Sequence, residues 1–447
     1  RRTWISSVQA SRPSAYTSTT LSVDPVTGAV TKQIQNYLPI DEAAGLYLPY
    51  GPQQINTYQG GLLVRQTVEG FETDYIFGSD YDQYGTPIQR VTRIASSGEI
   101  FSIEDTLGVD VDNAQVHTRV VYYTRDNAGE DIIFKVEEHV YDLQGNVEVV
   151  YYGTYEGDVF TPILGEFRSY EGVPGAQGIT THGELWLVDP DGNKLGNAPI
   201  TGTDLVDIYG LPIPDLNNVE MSQVIDAEGR IRVQVSDIRY GVSQQVIDTE
   251  HAGYAGLVVE KYEGYLDDTG AFVATKRTVS EYDNEDWRIY NVASSANTYT
   301  LISNGTWELF ASSQTVSFVN GEATVQITQA GSNLTHQEVI DNQGRAVRLY
   351  YGDLSAGAFI PGLVEERQYE GLVGFLGLTT SGSTRLCDAQ GIAYGEALST
   401  SELRGIHGEA IDPATAELED VLLNGTILIQ NTDNLRHLVI QQRLNLN

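Results

Sequence analysis

The sequence predicts an all-β protein made of tandem, sandwich-like antiparallel modules, and three observations indicate this fold class. Apolar residues alternate with polar ones along many segments, tight-turn signals recur between those segments, and one stretch of the chain repeats another. A period of two is typical of strands that bury one face against a core. Together these patterns indicate many short strands joined by hairpins.

The strand segments are rich in Val, Ile, Tyr and Thr, the residues that favour a pleated sheet. Ile231, Val233 and Val235 alternate with charged and amide residues, and Val147 and Val149 alternate in the same way. We therefore expect each strand to bury one face and to expose the other to solvent.

The predicted turns share the pattern Asp-x-x-Gly. Aspartate accepts a hydrogen bond from the backbone two residues on, and glycine adopts a positive φ without steric cost. The spacing therefore predicts tight turns between antiparallel strands. The aspartates that begin these turns are Asp82, Asp126, Asp142, Asp189, Asp226, Asp267, Asp341 and Asp388.

Asn-Gly pairs at residues 304–305, 320–321 and 424–425 predict further hairpins. The one hint of a helix lies in residues 402–423, where glycine and proline limit it to one or two turns. The prediction is therefore all-β.

An internal duplication is visible in the second quarter and the last quarter of the chain. Residues 142–196 align without a gap on residues 341–395, at an offset of 199, and 23 of the 55 positions are identical. Most identities are turn or strand formers, such as Gly192 and Gly391. Such a repeat must be recognised before a fold is assigned.

Glu-Gly pairs that end at residues 70, 172, 264 and 371 mark four shorter units, which we group in pairs. We predict an N-terminal extended segment at residues 1–19, a first β module at 20–217 and a second at 218–447, each module consisting of two degenerate repeats. The junction near residues 215–220 is rich in Pro and Asn, as linkers often are.

The charge balance excludes several kinds of partner. The chain has 61 Asp and Glu against 26 Lys and Arg, a net charge of -35. Such a chain repels phosphate backbones and anionic lipid headgroups, so we expect no nucleic-acid partner. No run approaches the ~18 apolar residues of a membrane helix, and no basic-then-apolar leader opens the chain, so no membrane insertion is expected.

An acidic, cysteine-poor composition suggests a secreted protein, extracellular or at the cell surface, and the start at Arg1 suggests a processed product. Cys387 replaces Val188 of the first copy, which favours a buried apolar role over a reactive thiol. A single cysteine excludes intrachain disulfides.

Carboxylate-rich turns are the only metal candidates in the sequence. Calcium prefers several oxygen ligands on one loop, and we weigh that reading against ordinary solvated turns. The turn equivalent to residues 189–192 lacks the second carboxylate, which favours the turn reading. The candidate ligands are Asp80, Asp82, Asp110, Asp112, Asp189 and Asp191.

No catalytic motif is recognisable, so the expectation is a protein that is not an enzyme, with no cofactor except the calcium considered above. The seven histidines show no zinc-ligand spacing, and no nucleophile elbow, phosphate loop or dinucleotide fingerprint occurs. Glu171 and Glu370 recur in both copies, as structural residues do, whereas an active site usually occurs once. Recurrent tyrosines could stack on sugars, but aromatic residues in strands more often bridge cross-strand neighbours.

The phrases VYDLQGN, VIDAEGR and VIDNQGR resemble the Tyr-Asp-x-x-Gly-Arg core of the rearrangement-hotspot, or YD-repeat, proteins. The tyrosine is present at Tyr81 and Tyr141, and the arginine at Arg230 and Arg345. The resemblance implies YD-repeat-like modules, whose strands in that family wind into large hollow shells. The family's short repeat period is absent from this chain.

The predicted function is that of an extracellular structural protein, a subunit of a filament, sheath or surface layer. Self-association into a homopolymer would use β-strand edges or exchange of the strand-like termini at residues 2–12 and 435–447. Pairing of both termini within their own modules is an equal alternative. The rival functions are a carbohydrate-binding adhesin module, a secreted β-fold glycan hydrolase and a fragment of a YD-repeat shell.

Overall fold

The computed structural model describes residues 16–41, 46–68, 70–78, 86–142, 145–170, 179–248, 256–332, 334–355 and 357–446. These residues form 28 strands and three short α-helices. From β1 to β12 and from β17 to β28, each strand pairs antiparallel with the next. The predicted all-β, antiparallel fold class is confirmed.

The first fourteen strands are β1 (Tyr16–Val23), β2 (Val30–Asp41), β3 (Leu46–Gln59), β4 (Leu62–Val68), β5 (Phe71–Ile76), β6 (Gln89–Ile94), β7 (Ile100–Asp110), β8 (Gln115–Arg125), β9 (Asp131–Tyr141), β10 (Val147–Glu156), β11 (Val159–Ser169), β12 (His182–Val188), β13 (Lys194–Leu195) and β14 (Thr201–Val206).

The other strands are β15 (Arg230–Asp237), β16 (Gly241–Asp248), β17 (Leu257–Leu266), β18 (Phe272–Glu281), β19 (Ser295–Leu301), β20 (Trp307–Val319), β21 (Glu322–Gln329), β22 (Thr335–Ile340), β23 (Ala346–Ser355), β24 (Ala358–Gln368), β25 (Ser381–Cys387), β26 (Ala393–Arg404), β27 (Thr426–Asp433) and β28 (Leu438–Asn445). The helices are α1 (Glu285–Arg288), α2 (Gly371–Phe375) and α3 (Leu418–Val421), and a 3-10 turn spans Met221–Gln223.

The chain divides into two compact units. Unit 1 comprises Arg1–Val235 and Gln244–Val259, and unit 2 comprises Ser236–Ser243 and Glu260–Asn447. This division follows spatial contacts rather than the repeat. The domain limits drawn from the sequence, at residues 19 and 217, stay a prediction.

The Asp-x-x-Gly turns form as predicted at the seven sites that the structure describes. At each site the glycine N–H donates a hydrogen bond to the backbone carbonyl of the aspartate, and the aspartate N–H donates to the backbone carbonyl of the residue after the glycine. The glycine has a positive φ at every site. The eighth turn, at Asp82, lies outside the described residues. The Asn-Gly pairs at 304–305 and 320–321 lie between paired strand ends, which confirms those two hairpins. The pair at 424–425 lies in a tight turn closed by an isolated bridge between Leu423 and Thr426, just before β27.

The duplication is preserved in the register of the sheet. Strand β10 and strand β23 have bounds that differ by 199 residues, and so do β11 and β24. Both hairpins shift register at the same step, between Tyr152 and Gly153 and between Tyr351 and Gly352. The two copies therefore share a β-bulge as well as a sequence.

A third hairpin uses the same bulge. Strand β17 shifts against β18 at Gly264, where an added Cβ would lie 2.0 Å from the Val273 carbonyl oxygen. Gly264 therefore occupies the same bulge position as Gly153 and Gly352. Gly371 instead begins helix α2, and Gly70 lies in the turn between β4 and β5.

The hint of a helix in residues 402–423 corresponds to the single turn α3, whereas α1 and α2 were not predicted. Asn284 caps α1 by accepting a hydrogen bond from the Trp287 N–H at 3.1 Å. Helices α2 and α3 each contribute one fully buried valine to the core of unit 2, Val373 and Val421. Short helices therefore cover apolar surface where the strands end.

Unit 1 has a core cluster that joins the 3-10 turn to the neighbouring strands. Met221, Val224 and Val233 are buried there together with Ile179 and Leu205. In unit 2, Cys387 is buried in β25, as predicted for an apolar replacement of Val188.

Candidate functional site

Two of the six predicted calcium ligands, Asp110 and Asp112, lie in the turn between β7 and β8, and Asp110 caps it. The Asp110 Oδ1 atom accepts hydrogen bonds from the backbone N–H groups of Asp112 and Asn113, both at 3.0 Å. These hydrogen bonds lower the pKa of Asp110, and the bond from Asn113 has the largest effect. The Asp110 carboxylate therefore stabilises the turn by accepting backbone hydrogen bonds.

The turn between β12 and β13 is built in the same way. Asp189 Oδ1 accepts the backbone N–H groups of Asp191 and Asn193 at 2.9 Å, and the Asn193 side chain lowers the pKa of Asp189. Asp80 and Asp82 lie outside the described residues. Within the described ranges, no three His, Cys, Asp or Glu side chains gather as a metal site. Calcium binding at these turns stays a prediction.

Unit 1 contains a buried polar cluster on strands β6 to β9, which the sequence did not reveal. The Arg90 Nη1 atom lies 2.8 Å from Glu104 Oε2, and both side chains are largely buried. The Arg90 guanidinium also lies over the Tyr141 ring, 5.5 Å from its centroid, and the Tyr141 hydroxyl lies 3.2 Å from His139 Nδ1. Direct cross-strand pairing of Arg90 with Glu104 places them on one face.

Electrostatics within this polar cluster favour the charged ion pair. Burial would raise the pKa of Glu104, but the positive charge of Arg90 outweighs it and the pKa is lowered. Burial is the main reason that the pKa of Tyr141 lies well above its ordinary value, and the negative charge of Glu104 raises it further. Glu104 Oε1 and Thr118 Oγ1 are both buried in this cluster, and the hydroxyls of Thr118 and Tyr141 lower the pKa of Glu104 further.

A second acidic residue extends the cluster along β9. Glu137 accepts a hydrogen bond from Lys135 Nζ at 2.9 Å and lies 3.2 Å from His139 Nε2. Burial opposes ionisation of Glu137, but the hydrogen bond to His139 and the charge of Lys135 prevail and lower its pKa to about 2. Lys135 also lies 4.4 Å above the centroid of the Tyr122 ring. The charges on this face are therefore balanced by neighbours.

One polar motif occurs in both copies of the repeat. In unit 1 the Tyr152 hydroxyl donates to Glu166 at 2.8 Å, and Arg168 Nε donates to the same carboxylate at 2.7 Å. In unit 2 the same bonds, at 3.2 and 2.7 Å, join Tyr351, Glu365 and Arg367. A motif kept in both units is expected of a structural device rather than of a catalytic site.

The residues that recur at strand ends serve the backbone as well. The Tyr170 hydroxyl donates to the Val147 carbonyl at 2.8 Å, and Tyr369 donates to Ala346 at 2.9 Å. Glu370 precedes helix α2, and its N–H donates to Thr380 Oγ1 at 3.1 Å. Glu171 lies outside the described residues.

Strand β28 has one strand partner among the described residues, β27. Its face with Leu438, Ile440 and Leu444 is substantially exposed. On the opposite face, Gln441 and Arg443 donate to backbone carbonyls of residues 408 and 406 at 3.1 and 2.9 Å. The edge of β28 is therefore held in place while its apolar residues meet solvent.

Strand β1 is the corresponding edge of unit 1. It pairs with β2 alone among the described strands, and all its described side chains are exposed, including Leu21 and Val23. Its eight residues carry no charge. The terminal residues 2–12, which the sequence also suggested as a strand, lie outside the described residues.

No helix in the described ranges has the length and apolar character needed to cross a membrane.

No protein-family model matches the chain, and no curated protein matches it. Among solved structures, it aligns over 92% of its length with the Photorhabdus luminescens Tc holotoxin pore, at 14% identity and a TM-score of 0.22. It aligns over 93% with a TcdB2-TccC3-TEV structure, at 12% identity and a TM-score of 0.21. A Synechocystis apocarotenoid oxygenase mutant aligns over 73%, at 10% identity and a TM-score of 0.17.

The chain spans 19% and 22% of the first two solved chains and 86% of the third. TM-scores near 0.2 assign neither a fold family nor a function. The resemblance to YD-repeat proteins therefore stays limited to the short Asp-x-x-Gly phrases.

Proposed function

We propose that the protein is an extracellular structural subunit that assembles through its edge strands, β1 and β28, into a filament, sheath or surface layer. The observation that carries the proposal is strand β28, which pairs with β27 alone among the described strands and carries exposed apolar residues. An edge strand presents unpaired N–H and C=O groups that can pair with another chain.

Proteins that stay monomeric usually protect such edges with charged residues, prolines or bulges. Strand β28 contains Arg443 as its one charged residue and no proline. The Arg443 side chain is used in a bond to the Ile406 carbonyl, on the face opposite to Leu438 and Ile440. The protection that would prevent edge pairing is therefore slight.

Two different edges favour an open chain of subunits. When β28 of one molecule pairs with β1 of the next, each molecule keeps one free edge, and the contact is heterologous. Strands β1 and β28 have eight residues each, so a full-length ladder can form. The acidic, cysteine-poor composition supports an extracellular location for such a polymer.

Substitution of the edge tests the proposal. The double variant Val439→Lys with Ile440→Lys places charges on both faces of β28, and we expect assemblies seen by negative-stain electron microscopy to disappear. A matched control, Ile133→Lys with Val159→Lys, alters residues of similar exposure in interior strands β9 and β11 and should assemble normally.

Deletion of residues 1–15 is a separate arm that tests exchange of the N-terminal segment. Loss of assembly in this deletion, with β1 intact, would indicate that the terminal segment itself adds a strand. Normal assembly of the β28 double variant would refute edge pairing in either form.

A further inference from the structure

Unit 2 contains an open cavity of about 370 Å³ on one face of strands β20 to β24. Residues of adjacent strands share that face, because Val339 pairs directly with both Thr324 and Arg348. The turn between β25 and β26 supplies one wall through Gln390 and Gly391. The volume falls within the range of small-molecule sites, about 300–1,000 Å³.

The lining of the cavity combines two aromatic rings with several amides. Tyr350 and Phe359 contribute the rings, and Asn320, Gln337 and Gln390 contribute amide groups. Each amide offers both donors and acceptors, so the cavity can bond hydroxyl groups in either sense. An aromatic ring offers an apolar face for stacking.

The charged residues of the cavity cancel one another. Arg348 Nη2 donates a hydrogen bond to Glu322 Oε2, and the two side chains are equally exposed. No uncompensated positive charge is therefore presented to a ligand here. The net charge of -35 over the whole chain also disfavours an anionic ligand.

The duplicated face in unit 1 is filled by side chains. Glu138 occupies the position equivalent to Gln337 and pairs with Arg119 through bonds of 3.0 and 2.7 Å. Arg119 also reaches the Asp158 carbonyl oxygen at 3.4 Å. In unit 2 the cross-strand partner of Gln337 is the shorter Gln326, whose amide lies 3.1 Å away.

Other positions on this face are also apolar and packed in unit 1 but more polar in unit 2. In unit 1, Phe160 is buried against Val121 and Val136. In unit 2 the positions that correspond to this valine pair are Thr328 and Thr335, whose hydroxyls lie 3.2 Å apart. Phe359, the unit 2 equivalent of Phe160, is only partly buried and lines the cavity. One copy of the face is therefore packed and the other is open and polar.

We propose that this cavity of unit 2 binds an uncharged sugar, a neutral hexose or N-acetylhexosamine residue of a glycan. Tyr350 or Phe359 stacks on the apolar face of the ring, and the amides of Asn320, Gln337 and Gln390 bond its hydroxyl groups. This function is independent of assembly through the strand edges.

Ligand-observed NMR titration of the full chain with neutral hexoses, N-acetylhexosamines and uronic acids tests the proposal. We expect saturable binding of at least one neutral sugar and binding of the matching uronic acid that is weaker by about tenfold or more. Absence of saturable binding by every neutral sugar overturns the proposal, and so does a preference for uronic acids.

A filled cavity provides the decisive variant. Gln326→Arg with Gln337→Glu installs the pair that unit 1 accommodates, and it should weaken sugar binding by about tenfold or more. The matched control, Arg119→Gln with Glu138→Gln in unit 1, should bind as the wild type does. Unchanged affinity in the filled variant overturns the location of the site.

A single substitution guards against misfolding of the filled variant. Gln337→Ala removes one of the three amides that the proposal assigns to the sugar hydroxyls. Affinity should fall while the circular dichroism spectrum is retained. A folded Gln337→Ala protein with full affinity for the sugar contradicts the proposal.

Discussion

Three glycines at β-bulges have no room for a side chain. A Cβ added to Gly153, Gly264 or Gly352 would lie 1.9–2.0 Å from a carbonyl oxygen of the adjacent strand. None of the three needs a positive φ, since only the close approach of the backbones excludes larger residues. The bulge is therefore a packing constraint that the repeat preserves.

Gly352→Ala should destabilise unit 2 by about 2–4 kcal/mol, because the strands must separate to admit the methyl group. Gly202→Ala serves as the matched control, since a Cβ there meets nothing within 4 Å. Urea unfolding followed by circular dichroism measures both. Equal stability of the two variants would contradict the bulge account.

Protonation of Glu137 is strongly coupled to folding. Its pKa falls from an ordinary value of 4.5 to about 2 in the folded chain. A carboxylate with a lowered pKa stabilises the fold above its unfolded pKa, and this contribution is lost as pH falls through the folded pKa. The loss from Glu137 should therefore occur between pH 4.5 and pH 2.

Glu137→Gln should lower the unfolding free energy at pH 7 by about 3 kcal/mol, because it leaves Lys135 and His139 without their partner. The difference from the wild type should shrink as the pH is lowered from 4.5 toward 2. Thermal unfolding across this range measures it, with the exposed Glu228→Gln as a control. A difference that does not depend on pH would contradict the coupling.

The hairpin turns are local structures that each aspartate specifies. Asp341 Oδ1 accepts the N–H groups of Gln343 and Arg345, both at 2.9 Å, and its Oδ2 accepts Arg345 Nε at 2.8 Å. Asp388 makes the two backbone bonds, to Gln390 and Ile392, at 3.0 and 2.9 Å. These two turns of unit 2 thus differ by one arginine.

Asp341→Ala should cost about 1–2 kcal/mol more than Asp388→Ala, since it also removes the partner of the partly buried Arg345. Urea unfolding of the two variants gives the comparison within one unit. If Asp388→Ala proves the more destabilising, the arginine does not stabilise the turn.

Turns were accessible from the sequence because they depend on neighbouring residues. The Asp-x-x-Gly spacing located the described hairpins, and the 199-residue offset predicts the shared register of β10 with β23. Helix α1 escaped prediction because four residues are too few for a helical period, although Asn284 gives an N-cap signal.

The buried polar cluster was not predicted, because the alternation of apolar and polar residues along each strand was taken to mean that the polar face is exposed. On strand β9, Val136 and Val140 are buried as expected, but Glu137 on the other face is buried as well. The period-two series Glu137, His139 and Tyr141 was a signal, yet sequence alone does not show which polar face is covered. The cavity of unit 2 likewise depends on five strands meeting in space.

The described part of the molecule combines two copies of one repeat with two edge strands, β1 and β28, each of which has one strand partner. The Tyr-Glu-Arg motif and the bulges recur in both units, while β1 and β28 carry exposed apolar side chains. These features favour a protein that holds shape and connects to copies of itself.

Sedimentation velocity of the purified chain across a concentration series tests this claim most directly. Edge pairing predicts species that grow with concentration beyond the 49.0 kDa monomer and a distribution without a closed end point. A single 49.0 kDa species at every concentration would contradict it.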